Sequence, residues 1–101
     1  MYFITCFAKY EIDPKTHVPN IGANRTFGYY ADRDVAIRMV SLNNLDIQEC
    51  IYQYAVIEHI PEGLYNPAIE RLFFKWNEDE EIFEEVDSKF FEDCWGNYAF
   101  G

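Results

Sequence analysis

The sequence predicts a small α+β domain, in which a mainly antiparallel sheet of four to five strands has one main helix packed on a face. Half of the 101 residues are apolar, enough for one packed core and too few for two, so we expect a single domain over residues 1–101. Aromatic and β-branched residues fall in short runs between turn-forming residues, which is typical of strands. Residues 33–43 have the spacing of a helix with one packed face.

The N-terminal third predicts a pair of strands. Residues 2–10 are rich in aromatic and β-branched side chains, and residues 25–31 return to the same composition. Two prolines and a glycine interrupt residues 11–24, which therefore predict a long loop. We expect the two strands to pair as a hairpin across that loop.

The helix follows at once. Asp32 is suited to cap its N-terminus, and Asp34 lies in its first turn, where a negative charge meets the helix dipole. The sequence Asn43-Asn44 predicts its end. A shorter helical turn is predicted from Asp46, because the apolar side chains that follow are spaced at i, i+3, i+4 and i+7. These side chains are Ile47, Cys50, Ile51 and Tyr54.

The C-terminal half begins with two predicted strands, after which the pattern is ambiguous between a helix and a strand. Residues 55–60 predict a strand that ends at Pro61, and residues 71–76 alternate in the way of a second strand. The next apolar residues recur at i+4 intervals, and this periodicity favours a helix through residues 80–86. They are Ile82, Val86, Phe90 and Cys94.

The charge of the chain is concentrated in this half. Residues 1–45 contain four acids and five bases, whereas residues 46–101 contain fourteen acids and three bases. Residues 77–93 contain nine carboxylates and a single cation, Lys89. The predicted partner-binding residues are Glu78, Asp79, Glu80, Glu81, Glu84, Glu85, Asp87, Glu92 and Asp93.

A concentrated negative field attracts basic surfaces and repels nucleic acid and anionic membranes. We therefore expect a protein partner with a basic nucleic-acid-binding groove, no direct nucleic acid and no membrane. Same-face carboxylates on a strand recur every ~7 Å, whereas one DNA strand presents a phosphate every ~3.4 Å, so imitation of nucleic acid requires two adjoining acidic rows. The alternative is a merely solvated surface, because two exposed charges ~7 Å apart repel by only ~0.6 kcal/mol in water.

Residues with catalytic or metal-binding chemistry are sparse. His17 and His59 are far apart and have no cysteine or acid at ligand spacing, and the two serines lie outside any nucleophile motif. The acids lack the spacing of a calcium loop, although an acidic site for Mg²⁺ or Ca²⁺ is an open alternative. We expect no catalytic residue, no metal site, no cofactor and no enzymatic activity; the sequence indicates no oligomeric state.

The cysteines indicate a reducing compartment. Cys6, Cys50 and Cys94 are odd in number and include no C-x-x-C pair, so we expect three free thiols and a cytoplasmic protein. Cys6 and Cys50 lie within apolar patterns and are predicted to be core residues. The N-terminus lacks the pattern of a signal peptide, and no apolar run approaches the ~20 residues that span a bilayer.

Five short segments share a structural pattern: Met1–Thr5, Thr26–Asp32, Tyr54–Glu58, Phe73–Trp76 and Asn97–Gly101. In these segments the chain resembles a family of small uncharacterised acidic proteins that are encoded on mobile elements and phages of gut Firmicutes. The resemblance implies strand, turn and strand over residues 73–86, then a short terminal helix. On that basis we predict an antiparallel hairpin of residues 71–76 and 82–86, with its turn at residues 77–81. This turn lacks the glycine of the family pattern.

The leading hypothesis is a non-enzymatic inhibitor or modulator that binds a basic, nucleic-acid-handling protein through its acidic face. The resemblance to mobile-element proteins implies an activity of the anti-CRISPR or anti-restriction type. The alternative is an antitoxin-like or regulatory adaptor that binds a host protein through aromatic residues. A small metal-dependent enzyme is the third hypothesis. Ionic strength separates the first two, because a charge-driven complex weakens as salt rises and an aromatic interface does not.

Overall fold

The structure is a computed structural model that describes residues 1–64, 66–87 and 98–99. Its elements are β1 (Tyr2–Phe7), β2 (Glu11–Ile12), β3 (Pro19–Asn20), β4 (Asn24–Tyr30), α1 (Arg33–Ser41), a 3₁₀ helix (Asn44–Asp46), β5 (Tyr54–His59), β6 (Glu70–Asn77) and β7 (Ile82–Val86). The predicted α+β class is confirmed, since five strands form one sheet and α1 packs on it. The predicted short terminal helix lies outside the described residues.

The five strands form an antiparallel sheet in the order β4-β1-β5-β6-β7. The first two predicted strands pair as expected, from Tyr2 opposite Tyr30 to Phe7 opposite Asn24, with a bulge at Phe27. The connecting segment is not a plain loop, because β2 and β3 form a two-stranded ribbon within it. At the other edge, β6 and β7 confirm the predicted hairpin.

The helix that periodicity favoured for residues 80–86 is therefore wrong. A spacing of four residues returns to the same face in a helix and also in a strand, so Ile82 and Val86 do not distinguish the two. The residue that decides is Phe83, whose ring lies 5.0 Å from that of Trp76 in an edge-to-face contact. Phe83 is buried in the strand that pairs with β6, directly opposite Trp76.

Helix α1 begins as predicted and ends two residues earlier than residue 43. The Asp32 side chain accepts hydrogen bonds from the backbone N–H groups of Asp34 (2.8 Å) and Val35 (3.2 Å), which caps the N-terminus. Ala36 and Val40 lie fully buried against the sheet. These two residues are one helical turn apart, so one stripe of the helix covers one face of the sheet.

The helical turn predicted from Asp46 is wrong. Residues 44–46 form a 3₁₀ helix, and several residues between positions 43 and 50 adopt left-handed backbone conformations that interrupt any continuous helix. The residues with positive φ here are Asn43, Leu45, Asp46, Glu49 and Cys50. As a result Cys50 is exposed rather than part of the core, and Ile51 is also exposed.

The sheet has an apolar cluster on each face. The cluster beneath α1 contains Ile4, Cys6, Ala36, Val40, Tyr52, Ala55, Ile57, Phe74 and Phe83. The cluster on the second face, which points away from α1, contains Phe7, Val56, Phe73 and Tyr98. Tyr98 thus joins a core built by three strands, which brings the end of the described chain onto the second face.

Candidate protein-binding surface

The turn of the β6–β7 hairpin is organised by the side chain of Asn77. Its amide oxygen accepts hydrogen bonds from the backbone N–H groups of Asp79 (3.0 Å) and Glu80 (3.1 Å), which forms an Asx-type turn. Its amide nitrogen donates to a carboxylate oxygen of Glu84 at 2.7 Å. Glu81 closes the turn with a φ of 56°, the conformation that a glycine adopts without strain. The turn thereby holds four consecutive acids at the end of the hairpin.

The hairpin is fixed to the rest of the molecule through Trp76 and Phe83. Their rings contact each other and pack against the cluster beneath α1. The indole N–H of Trp76 donates to a carboxylate oxygen of Glu78 at 2.7 Å, so one aromatic side chain connects the core to the acidic turn. The carboxylates are accordingly presented on a packed element.

We define the acidic surface as the predicted partner-binding residues that the structure describes. Its members are Glu78, Asp79, Glu80, Glu81, Glu84, Glu85 and Asp87, and all seven are exposed. The first four lie in the turn, the next two on β7, and Asp87 follows the strand. Glu92 and Asp93 lie outside the described residues.

The acidic surface wraps around the edge of the sheet rather than covering one face. Glu84 lies opposite Lys75 on the second face, whereas Glu85 lies opposite Phe74 on the face that carries α1. The neighbouring strand β6 therefore contributes a base and an apolar residue beside these acids. The part of the chain described here supplies an acidic turn and one acidic strand, and not the two adjoining acidic strand rows considered from the sequence.

The acids of the turn and of β7 take no part in the ion pairs of the described chain. The four ion pairs found there use Glu11, Glu49, Glu70 and Glu58 as their acids. Six acids, Glu78 to Glu81 with Glu84 and Glu85, thus contribute negative potential that no ion pair in the described chain offsets.

A site that the sequence reasoning missed lies on the second face, around Glu58. This carboxylate is 0% exposed. One oxygen accepts from the backbone N–H of Ala99 at 2.7 Å, and the other accepts from the N–H of Tyr98 and from Nε of Arg71, both at 3.0 Å. The available signal was a lone acid inside the apolar strand sequence Ala55-Val56-Ile57-Glu58, because a buried carboxylate requires partners.

A second missed feature lies at the opposite edge of the sheet from the acidic surface. A cavity of about 310 Å³ opens between β4, α1 and the 3₁₀ helix, and it is lined mainly by apolar side chains. Leu45, at this cavity, is 92% exposed, whereas the ring of Tyr29 lies on the second face against that of Phe3, with ring centres 5.2 Å apart. Leu45 has a φ of 57°, so the backbone conformation holds this leucine outside the core.

The residues that were weighed for chemistry are dispersed. His17 is exposed in the β2–β3 segment, and His59 stacks on Tyr2 with ring centres 4.2 Å apart. Burial, together with the nearby charge of Glu49, raises the pKa of the Cys6 thiol to about 12. Cys6 and Cys50 are both free, and Cys94 lies outside the described residues. Across the described ranges, no group of three or more His, Cys, Asp or Glu side chains is arranged to hold a metal ion.

Among the described residues, no helix has both the length and the apolar character needed to cross a membrane. Comparison of the chain with protein-family models, with curated proteins and with solved structures found no match.

Proposed function

We propose that this protein is a non-enzymatic inhibitor or modulator that binds a basic, nucleic-acid-handling protein through the acidic surface. The activity would be of the anti-CRISPR or anti-restriction type, as the resemblance to mobile-element proteins implies. The observation that supports the proposal is the packed hairpin that presents exposed carboxylates outside the ion pairs of the described chain. We further propose that it acts in the cytoplasm, by binding alone and without a cofactor.

The shape of the acidic surface indicates how such a partner would bind. Glu84 and Glu85 point to opposite faces of β7, and the turn acids extend beyond the end of the strand. A groove that closes around the end of the hairpin contacts both faces at once, whereas a flat basic surface contacts only one. A nucleic-acid-binding groove has this concave form and lines it with Lys and Arg side chains.

Charge reversal tests this proposal. Replacing Glu81, Glu84 and Glu85 by Lys should weaken binding to the partner captured from host lysate by at least about tenfold at physiological salt, because steering and charge-pair energy are lost together. The matched control replaces the exposed acids Glu11, Asp34 and Glu62 by Lys, which changes the net charge equally but away from the hairpin. The control should bind nearly as well as the wild type.

Two further measurements test whether the acidic surface binds a nucleic-acid-binding groove. Wild-type affinity should fall steeply as salt rises, and excess duplex DNA should displace the protein from its partner, because both compete for the same groove. If the two triple-Lys variants bind equally well, the acidic surface is only a solvated surface.

The second candidate function is an antitoxin-like or regulatory adaptor that binds a host protein through aromatic residues. The observation that favours it is the exposed Leu45 at an apolar cavity that is also lined by Phe27 and Tyr30. Aromatic side chains are enriched in protein interfaces. Binding that resists salt and is abolished by Leu45→Ser, but not by the triple-Lys change at the hairpin, would identify this function.

A further inference from the structure

The second face of the sheet contains a site of defined chemistry that the protein fills with its own residues. The Glu58 carboxylate binds two consecutive backbone N–H groups, those of Tyr98 and Ala99. The Tyr98 ring stacks on Phe7 with ring centres 5.1 Å apart and meets Phe73 edge to face at 5.6 Å. Four sheet residues thus form what we call the dock: Glu58, Arg71, Phe7 and Phe73.

The contacts at the dock involve backbone N–H groups and an aromatic ring. A carboxylate that accepts from two successive amides fits an extended or turning peptide of almost any composition, because every residue except proline supplies that N–H group. The slot between Phe7 and Phe73 adds a preference for a flat aromatic side chain. The ligand class is therefore a peptide segment with an aromatic residue followed by a residue that has a free amide.

The four residues of the dock belong to strands of the sheet. Glu58 and Arg71 are directly opposite each other on the paired strands β5 and β6, and their hydrogen bond orients the carboxylate. Phe7 and Phe73 are core residues of β1 and β6. When the segment leaves, water reaches Glu58 and replaces the two amide donors, so no charge is stranded without a partner.

We propose that the dock is a peptide-recognition site, and that Tyr98 and Ala99 are its resident, exchangeable ligand. Release of Tyr98 and Ala99 from the dock is a local opening, which requires less free energy than unfolding of the five-stranded sheet. An external segment with the same aromatic–amide pattern then competes for the exposed dock. This inference is independent of the acidic surface and of the function proposed for it.

The test uses the full chain and a fluorescent capped peptide of sequence Asn-Tyr-Ala-Phe, which repeats residues 97–100. Tyr98→Ala weakens the resident ligand and leaves the dock intact, so it should tighten peptide binding by at least about tenfold. Glu58→Gln removes the charge that both amides contact, so it should weaken binding by at least about tenfold. These opposite directions distinguish recognition at the dock from binding elsewhere.

A matched control peptide carries N-methylalanine in place of alanine and lacks the N–H that donates to Glu58 at 2.7 Å. It should bind at least about tenfold more weakly, and it tests the same contact if Glu58→Gln does not fold. A saturating concentration of the Asn-Tyr-Ala-Phe peptide should also accelerate hydrogen exchange at the Tyr98 and Ala99 amides, because it displaces them from the dock. The proposal would be overturned if the two peptides bound equally well, or if Tyr98→Ala bound the peptide with the affinity of the wild type. It would also be overturned if neither the wild type nor Tyr98→Ala bound the peptide.

Discussion

At the scale of single residues, the two described cysteines differ more than their similar sequence surroundings suggest. Cys6 is fully buried in β1, and burial, with a smaller effect of Glu49, raises the pKa of its thiol to about 12. Cys50 is exposed and has a φ of 62°. Because the thiolate is the reactive form, Cys6 is protected both by exclusion of the reagent and by protonation.

We therefore predict selective labelling of the native protein. At pH 8 the thiolate fraction of Cys6 is about one in ten thousand, given a pKa of about 12, so a short pulse of iodoacetamide should modify Cys50 and leave Cys6 unmodified. Peptide mass spectrometry measures the two sites separately. In denaturant without reductant, three thiols per chain should titrate; a count of one would contradict the expectation that all three are free.

At the scale of an element, the β6–β7 hairpin combines a well-formed turn with one unfavourable backbone conformation. Asn77 satisfies two backbone amides and also donates to Glu84. Glu81 adopts the left-handed conformation with a φ of 56°, although it carries a side chain. Such a conformation costs a non-glycine residue roughly 1–2 kcal/mol. Glycine removes this strain, but it also makes the unfolded state more flexible, so the net gain in stability is smaller than the strain.

Two substitutions should change hairpin stability in opposite directions. Glu81→Gly should raise the free energy of unfolding by about 0.5 kcal/mol, and Asn77→Ala should lower it by about 1–2 kcal/mol because the turn amides lose their acceptor. Urea denaturation measures both. Glu81→Ala is the control for Glu81→Gly, since it removes the same charge and keeps the strained conformation. Equal stability of the Gly and Ala variants would show that the conformation at residue 81 is not strained.

At the scale of the whole molecule, exposed acidic residues are concentrated at one edge of the sheet. The acidic surface lies at the β7 edge, while the cavity with Leu45 lies at the β4 edge, with three strands between them. The chain carries a formal net charge of −10. Repulsion among clustered like charges opposes the compact state and is reduced by salt.

Folding stability should therefore rise with ionic strength. We expect an increase of a few tenths of a kcal/mol in the free energy of unfolding between low and physiological salt, measured by urea denaturation. The triple-Lys variant of the hairpin should show a smaller increase than the triple-Lys control, because it removes the cluster itself. A larger response in the hairpin variant would mean that the destabilising repulsion lies elsewhere in the chain.

The local patterns of the sequence were sufficient for most of the elements. Aromatic and β-branched runs located the strands, and Asp32 with the apolar stripe after it located α1, because capping and face periodicity are local properties. The resemblance supplied the β6–β7 hairpin where periodicity was wrong. The position of the acids at one end of a hairpin followed from these predictions, since the acids are consecutive in the sequence.

Only the tertiary structure decided which residues meet across the sheet. Strand order places Glu84 beside Lys75, so the acids surround an edge and do not form two rows. Left-handed residues between Asn43 and Cys50 leave Cys50 and Ile51 exposed in spite of their apolar spacing. Glu58 gains its partners from Tyr98 and Ala99, about forty residues away. Burial and pairing of this kind depend on contacts distant in the chain, and no local pattern of residues encodes them.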